Sequence, residues 1–199
     1  MNIAVFGGSF NPVHKGHYEI VRQIDQEMDF EKIYIVPAYK NPFKGQKPAI
    51  PESIRLAMLD STFSEFKNVE ISHYEIEKKE TSYTINTIEH ILSIHPNCRP
   101  YLILGADTYA TFHLWTKADR IIELCQFLIF SRPALLLDES KTLKQTVNQE
   151  QVRHLKTKIP DISATEIRNS PLAITKQNKW LHLEAEKIWE NYLSKNRSK

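Results

Sequence analysis

Two histidines three residues apart, His14 and His17 with Gly16 between them, stand just beyond a glycine pair, Gly7-Gly8. Imidazole N–H groups donate to anions, and backbone amides can approach a ligand where glycine leaves no Cβ in the way. A short apolar run, Ile3 to Phe6, precedes the glycines and reads as a buried strand. After a loop holding Pro12, a helical spacing begins near Gly16 and continues through Ile20, Val21, Ile24 and Met28. Strand, glycine turn and helix N-terminus form an arrangement that receives phosphate, and this spacing lets both imidazoles face one anion. A second constellation lies late in the chain, in Ile162-Ser-Ala-Thr-Glu-Ile-Arg168. Ser163 with Glu166 three residues on reads as a capping box. That leaves Arg168, one turn past Thr165, as a fork-shaped cation suited to phosphate oxygens.

These residues need a frame, and the chain alternates strand-like and helical patterns. Lys32 to Val36 reads as a second buried strand ending at Pro37, followed by a Pro-, Lys- and Asn-rich loop to Pro51 that carries Lys44. A helix opens near Pro51-Glu52 and turns Ala57, Leu59 and Phe63 inward. Val69 to Ile76 alternates like a strand, with apolar residues at 69, 71, 74 and 76. Thr84 is placed to N-cap a helix whose apolar face is Ile85, Ile88, Ile91 and Leu92. Tyr101 to Leu104 is a strand ended by Gly105-Ala-Asp107, and a helix over Ala118 to Leu124 leads into a strand from Phe127 to Phe130. The segment 135–158 is polar and weakly patterned; Ala185, Ile188, Trp189, Tyr192 and Leu193 mark a C-terminal helix stripe. The expected fold is α/β: a Rossmann-like, doubly wound parallel sheet with helices on both faces and a C-terminal helical extension. One domain spans 1–199, with a mononucleotide-binding part over 1–130 and the Arg168 motif plus C-terminal helix over 159–199. Such sheets bind ligands beyond the carboxyl ends of their strands, where His14, His17, Lys44 and Asp107 all fall.

Composition excludes several partners. Of 199 residues, 41% are hydrophobic and 25% charged, and the net charge is +2, which gives no basic face for nucleic acid. No leader pattern and no membrane-length apolar run is present, so a cytoplasmic protein is expected. Cys98 and Cys125 form no Cys-x-x-Cys motif and read as buried free thiols. His95 and Cys98 lack the second pair a metal site requires, so no protein-bound metal is expected. Oligomeric state is not legible.

Gly7-Gly-Ser-Phe-Asn-Pro-Val-His-Lys-Gly-His17 resembles the HxGH signature of the nucleotidyltransferase superfamily, usually G-G-T-F-D-P-x-H-x-G-H. Ser9 keeps the hydroxyl of Thr; Asn11 loses the charge of Asp but closes the same kind of side-chain turn. Ile162 to Arg168 resembles the superfamily's I-S-S/A-T-x-I-R motif. The run Pro37 to Lys44 is similar to the P-x-x-x-P-P-H-K loop of bacterial nicotinate mononucleotide adenylyltransferases, with Asn41 and Phe43 departing from it. Arg55-x-x-Met58-Leu59, Ser82-Tyr-Thr-Ile-Asn-Thr87, and Leu104-Gly-Ala-Asp-Thr108 with Trp115 follow in that family's order. The resemblance runs from Asn2 to Arg168 and is weak beyond Pro171.

The resemblance implies transfer of AMP from ATP to nicotinate mononucleotide, releasing pyrophosphate, with Mg²⁺ bound through the ATP phosphates. It assigns His14, His17, Lys44 and Arg168 to catalysis. It assigns Gly7, Gly8, Ser9, Phe10, Gly16, Gly105, Asp107, Ser163 and Thr165, again with Arg168, to ATP. Lys44, Tyr83, Thr84 and Trp115 would hold the second substrate. No acidic side chain occurs within Ser82–Thr87 to favour an amide over a carboxylate. Two other readings are a nicotinamide mononucleotide adenylyltransferase and a non-catalytic nucleotide sensor of the same fold. Phosphopantetheine adenylyltransferases, cytidylyltransferases and class I aminoacyl-tRNA synthetases share HxGH, but the Ser82-Tyr-Thr and Gly-Ala-Asp107…Trp115 elements argue against them.

Overall fold

Apolar runs that are buried on both sides pair into one parallel sheet with helices above and below. The computed structural model describes residues 1–130, 147–155, 160 and 162–196. In chain order the elements are β1 (Ile3–Gly8), α1 (Lys15–Glu27), β2 (Lys32–Pro37), α2 (Glu52–Phe63), β3 (Val69–Ile71), α3 (Tyr74–Lys78) and α4 (Thr84–Ile94). Then follow β4 (Tyr101–Gly105), α5 (Ala106–Ala110), α6 (Ala118–Leu124), β5 (Gln126–Phe130), β6 (Val152–Leu155), α7 (Ala164–Asn169), α8 (Leu172–Gln177) and α9 (Leu183–Asn196). The strand order is β3-β2-β1-β4-β5-β6 and every pairing is parallel. This is the doubly wound arrangement, with its switch point between β1 and β4.

Strand alternation assigns the two layers. Ala4 and Phe6 of β1, with Ile33 and Ile35 of β2, face a core built by Ile20, Val21 and Ile24 of α1 and by Met58, Leu59 and Phe63 of α2. Trp189 and Ala185 of α9 complete that side. Ile3 and Val5, with Tyr34 and Val36, face the opposite core, where Ile85, Ile88 and Ile91 of α4 meet Tyr109, Phe112 and Ile121. The crossovers bring α1, α4 and α5 to the carboxyl edge of the sheet at the point where strand order reverses.

Several expectations change. The alternation over Val69–Ile76 supports only a three-residue strand; from Tyr74 the chain turns into α3. Tyr, Glu, Ile and Glu fit a helical turn as well as a strand, so the alternation alone does not decide. Thr84 is the first residue of α4, and the N-cap position belongs to Tyr83 with no side-chain cap bond. Ala57 is half-buried, and Arg55, Met58 and Leu59 occupy the inner face of α2. Within the weakly patterned segment 135–158 the structure adds β6, on the outer edge of the sheet beside β5; 135–146 and 156–158 lie outside the described residues. Two short helices, α5 and α8, were not expected.

One polar knot ties the β2 loop to the start of α4. Ser82 Oγ accepts from the Tyr39 N–H at 2.9 Å, and Ser82 N–H donates to the Lys40 carbonyl at 2.8 Å. The hydroxyls of Thr87 and Ser82 are both hydrogen-bonded to the Glu75 carboxyl. Burial pushes that carboxyl above the usual carboxylate range, and the two hydroxyls oppose the shift only in part. The folded chain therefore binds this proton more tightly than the unfolded one. The associated stability is fully present below the unfolded pKa and is lost as pH rises through the raised folded value. Glu75→Gln keeps an acceptor and does not titrate. Its stability advantage over wild type, from denaturant midpoints at a series of pH values, should grow as pH rises through that window and then level off. A pH-independent difference would contradict the knot.

Candidate active site

A cavity of about 710 Å³ opens at the carboxyl edge of the sheet, lined by the ends of β1 and β4, the loop after β2, and the starts of α1, α4 and α7. Every site residue expected from the sequence lines it, from Gly7 to Arg168. The positions of their polar atoms differ from expectation in ways that matter chemically.

His14 is buried at 4% exposure, and its ring centroid lies 3.8 Å from that of His17. The His14 backbone N–H donates to His17 Nδ1 at 3.2 Å, across the first turn of α1. A ring nitrogen that accepts cannot also carry the hydrogen, so neutral His17 holds its proton on Nε2 and is a fixed donor there. Phe10 (5.0 Å between ring centroids) and Phe6 (6.0 Å) brace the His17 ring. The Phe10 side chain is 2% exposed and part of the core. What Phe10 can offer a nucleotide is its backbone, not its ring.

The helix N-terminus supplies fewer amides than the sequence suggests. Lys15 N–H is taken by the Trp180 carbonyl at 2.8 Å and His17 N–H by the His14 carbonyl at 2.9 Å. Among the described residues Gly16 N–H has no protein acceptor, and it lines the cavity. A Cβ added at Gly7 would meet nothing within 4 Å, so this glycine leaves open space at the end of β1. One at Gly105 would come to 2.5 Å from the Asp107 carboxylate, so Gly105 gives room to Asp107 as much as to a ligand.

Asn11 does not close a local turn. Its Oδ1 accepts from Ile50 N–H at 2.9 Å, tying the β1–α1 loop to the approach to α2. Arg168 donates through Nη1 to the Asn11 and Ala164 carbonyls and through Nη2 to Thr165 Oγ1. This arginine is therefore a strut between α7 and the loop as well as a cation on the cavity wall. Ser163 caps α7 as expected, its Oγ accepting from Glu166 N–H at 3.1 Å. Lys44 lies exposed on the loop after β2, its backbone N–H held by Asn41 at 3.2 Å, and its ammonium is a mobile-stemmed charge rather than a fixed one.

At the other end of the cavity Tyr83 and Thr84 open α4, and among the described residues neither N–H has a protein acceptor. Trp115 stands on the same wall, packed on Phe112 at 5.3 Å between ring centroids. Two residues given no site role by the sequence also belong to the site's surroundings. Glu75 reaches this wall from α3, outside the Ser82–Thr87 segment, and only the fold brings it there. Arg55 reaches behind the loop and donates to the Ser9 carbonyl at 2.9 Å. Among the described residues no three His, Cys, Asp or Glu side chains converge as a metal site.

The cytidylyltransferase-like family model matches residues 5–170. A probable nicotinate-nucleotide adenylyltransferase of Clostridium tetani is 34% identical over 168 residues, 83% of this chain and 84% of its own length. A protein of the same description from Nitratiruptor is 37% identical over 171 residues, 86% of this chain and 89% of its own. In fold, the chain is similar to the Plasmodium falciparum nicotinic acid mononucleotide adenylyltransferase solved with NaAD (TM-score 0.73, 19% identity, covering 96% of this chain and 95% of that one). The family model spans the histidine pair and the Arg168 helix, and with relatives at 34% and 37% identity the chain belongs to the nicotinate-nucleotide adenylyltransferases within the cytidylyltransferase-like family.

Proposed function

We propose that this chain transfers the adenylyl group of ATP to nicotinate mononucleotide, in the cytoplasm and as one functional unit over 1–199. The observation that carries the reading is the His14–His17 pair, with a fixed Nε2 donor on His17, set beside Gly7, Gly16 and the Arg168 strut at the switch point of the sheet. The 5′-phosphate oxygen of the mononucleotide forms a bond to the α-phosphorus of ATP, and the bond from that phosphorus to the β-phosphate oxygen breaks to release pyrophosphate. A phosphate monoester, with its second pKa near about 6, is already largely dianionic at neutral pH. The nucleophile therefore requires no general base, and catalysis rests on positioning and charge stabilisation.

His14 and His17 donate to the α-phosphoryl and leaving pyrophosphate oxygens, and Lys44 and Arg168 add positive charge. Ser9, Ser163 and Thr165 line the phosphate end. Gly105 and Asp107 line the adenosine side. The cavity offers amides, imidazoles, hydroxyls and isolated carboxylates rather than a metal cage, which suits Mg²⁺ delivered on the ATP phosphates. When bound, that ion neutralises charge on the polyphosphate.

The pyridine end follows from α4. The unpaired amides of Tyr83 and Thr84 and the positive end of the helix favour an anion. Trp115 covers the ring without regard to its substituent. Glu75, though close by, has its carboxyl engaged by the hydroxyls of Ser82 and Thr87, and burial raises its pKa.

The direct test is pyrophosphate release from ATP with nicotinate mononucleotide or its amide. The acid should be preferred by at least ~10²-fold in kcat/KM, because the amide turns a donor toward donors. Equal values would overturn the pyridine placement, and no release with either would overturn the function. His17→Asn should fold normally and lose about 10²–10³-fold in kcat, the scale for one lost oxyanion donor. A near-normal kcat would remove it from the phosphate site. Arg168→Ala should raise the KM for ATP and, by freeing the Asn11 carbonyl, lower thermal stability as well. An unchanged KM would leave Arg168 as a strut alone.

A further inference from the structure

Arg55 on α2 is the largest side chain that is almost fully buried, at 1% exposure, and it is charged. Nη1 donates to the Ser9 carbonyl at 2.9 Å, while Nε and Nη2 have no protein partner among the described residues. Burial lowers its pKa, yet an arginine stays protonated. A buried cation with a single hydrogen bond is a poor way to stabilise a fold; an apolar side chain of similar size does as well or better. Folding alone therefore does not account for it.

The bond does fix a peptide plane. A trans peptide is planar, so the Ser9 carbonyl and the Phe10 N–H point in opposite directions. Arg55 stands behind the loop and does not line the cavity, whereas Ser9 and Phe10 do. Drawing the carbonyl back toward α2 turns the Phe10 N–H out toward the cavity. Phe10 has φ of +41°, in the left-handed region, which a bulky residue adopts only when its surroundings impose it. Its buried ring holds one side of this conformation and Arg55 the other.

We propose that Arg55 is a positioning residue for adenylyl transfer: by holding the Ser9 carbonyl it presents the Phe10 N–H to a phosphate oxygen of the bound nucleotide. The proposal rests on the nucleotide reading of the cavity and adds to it a residue that never touches substrate. The resulting site is a strained turn whose amide direction is set from behind, as in other backbone anion cradles.

The test compares wild type, Arg55→Met and Arg55→Lys as full-length chains. Arg55→Met should unfold at or above the wild-type temperature, yet lose about 10²-fold in kcat/KM, the scale of a small misplacement at a reacting centre. Arg55→Lys, which retains a donor for the carbonyl, should recover part of the loss. Independently of any variant folding, the ¹⁵N–¹H resonance of Phe10 in wild type should shift on titration with inorganic pyrophosphate, and that of Asp29, before β2 at the opposite edge of the sheet, should not. Unchanged kcat/KM in a folded Arg55→Met, or a Phe10 amide insensitive to pyrophosphate, overturns the proposal. Wild-type pyrophosphate release is measured alongside, and its absence would count against the nucleotide reading instead.

Discussion

The turn between β1 and α1 is held by two arginines far apart in the chain. Arg55 of α2 takes the Ser9 carbonyl and Arg168 of α7 takes the Asn11 carbonyl, while Asn11 Oδ1 holds Ile50. Without these bonds, a loop that carries Phe10 at positive φ would relax. The amides of the loop and the ring of His17, which rests on Phe10, would then lose their common aim. The cost is that α2 and α7 must be docked before the site exists. Their apolar faces, Met58, Leu59 and Phe63 on one and Ile167 on the other, join the same core as α1, so docking and site formation are one event.

At the far end of the cavity a different polar arrangement does the same work. Glu75, Ser82 and Thr87 link α3, the β2 loop and α4, and fix the first amides of α4 without using them. The two ends are joined by the sheet, whose switch point between β1 and β4 leaves the gap in which a ligand spans from one set of amides to the other. Hydrogen bonds made from behind to backbone carbonyls organise the histidine end, and a buried carboxyl with two hydroxyls organises the α4 end.

The architecture was legible because parallel strands and their covering helices carry strong apolar periodicity: Ile3 to Phe6, Lys32 to Val36 and Tyr101 to Leu104 all pair as expected. Where the pattern is degenerate it misleads. Val69, Ile71, Tyr74 and Ile76 alternate like a strand, but the spacing also suits a helical turn, and the chain takes the turn after Ile71. Edge strand β6 carries an exposed Arg153 and His154, so its apolar signal is too thin to see. The histidine pair and Arg168 were legible as types in spacing. Their hydrogen-bond states were not: nothing in the sequence shows that His17 Nδ1 is occupied or that Arg168 is a strut. Arg55 was legible only as a motif residue and Glu75 not as a site residue at all, because the groups they engage lie far away along the chain.

The central claim is that the β1–α1 turn is preset for a polyphosphate. The most direct measurement is a crystal structure of the chain with a non-hydrolysable ATP analogue. The account predicts that the backbone from Gly7 to His14 stays within about 1 Å of its position here, as in other preorganised sites, with phosphate oxygens against His17 Nε2, Gly16 N–H and Phe10 N–H. A phosphate group seated elsewhere, or a turn that must rebuild to receive it, would contradict the account.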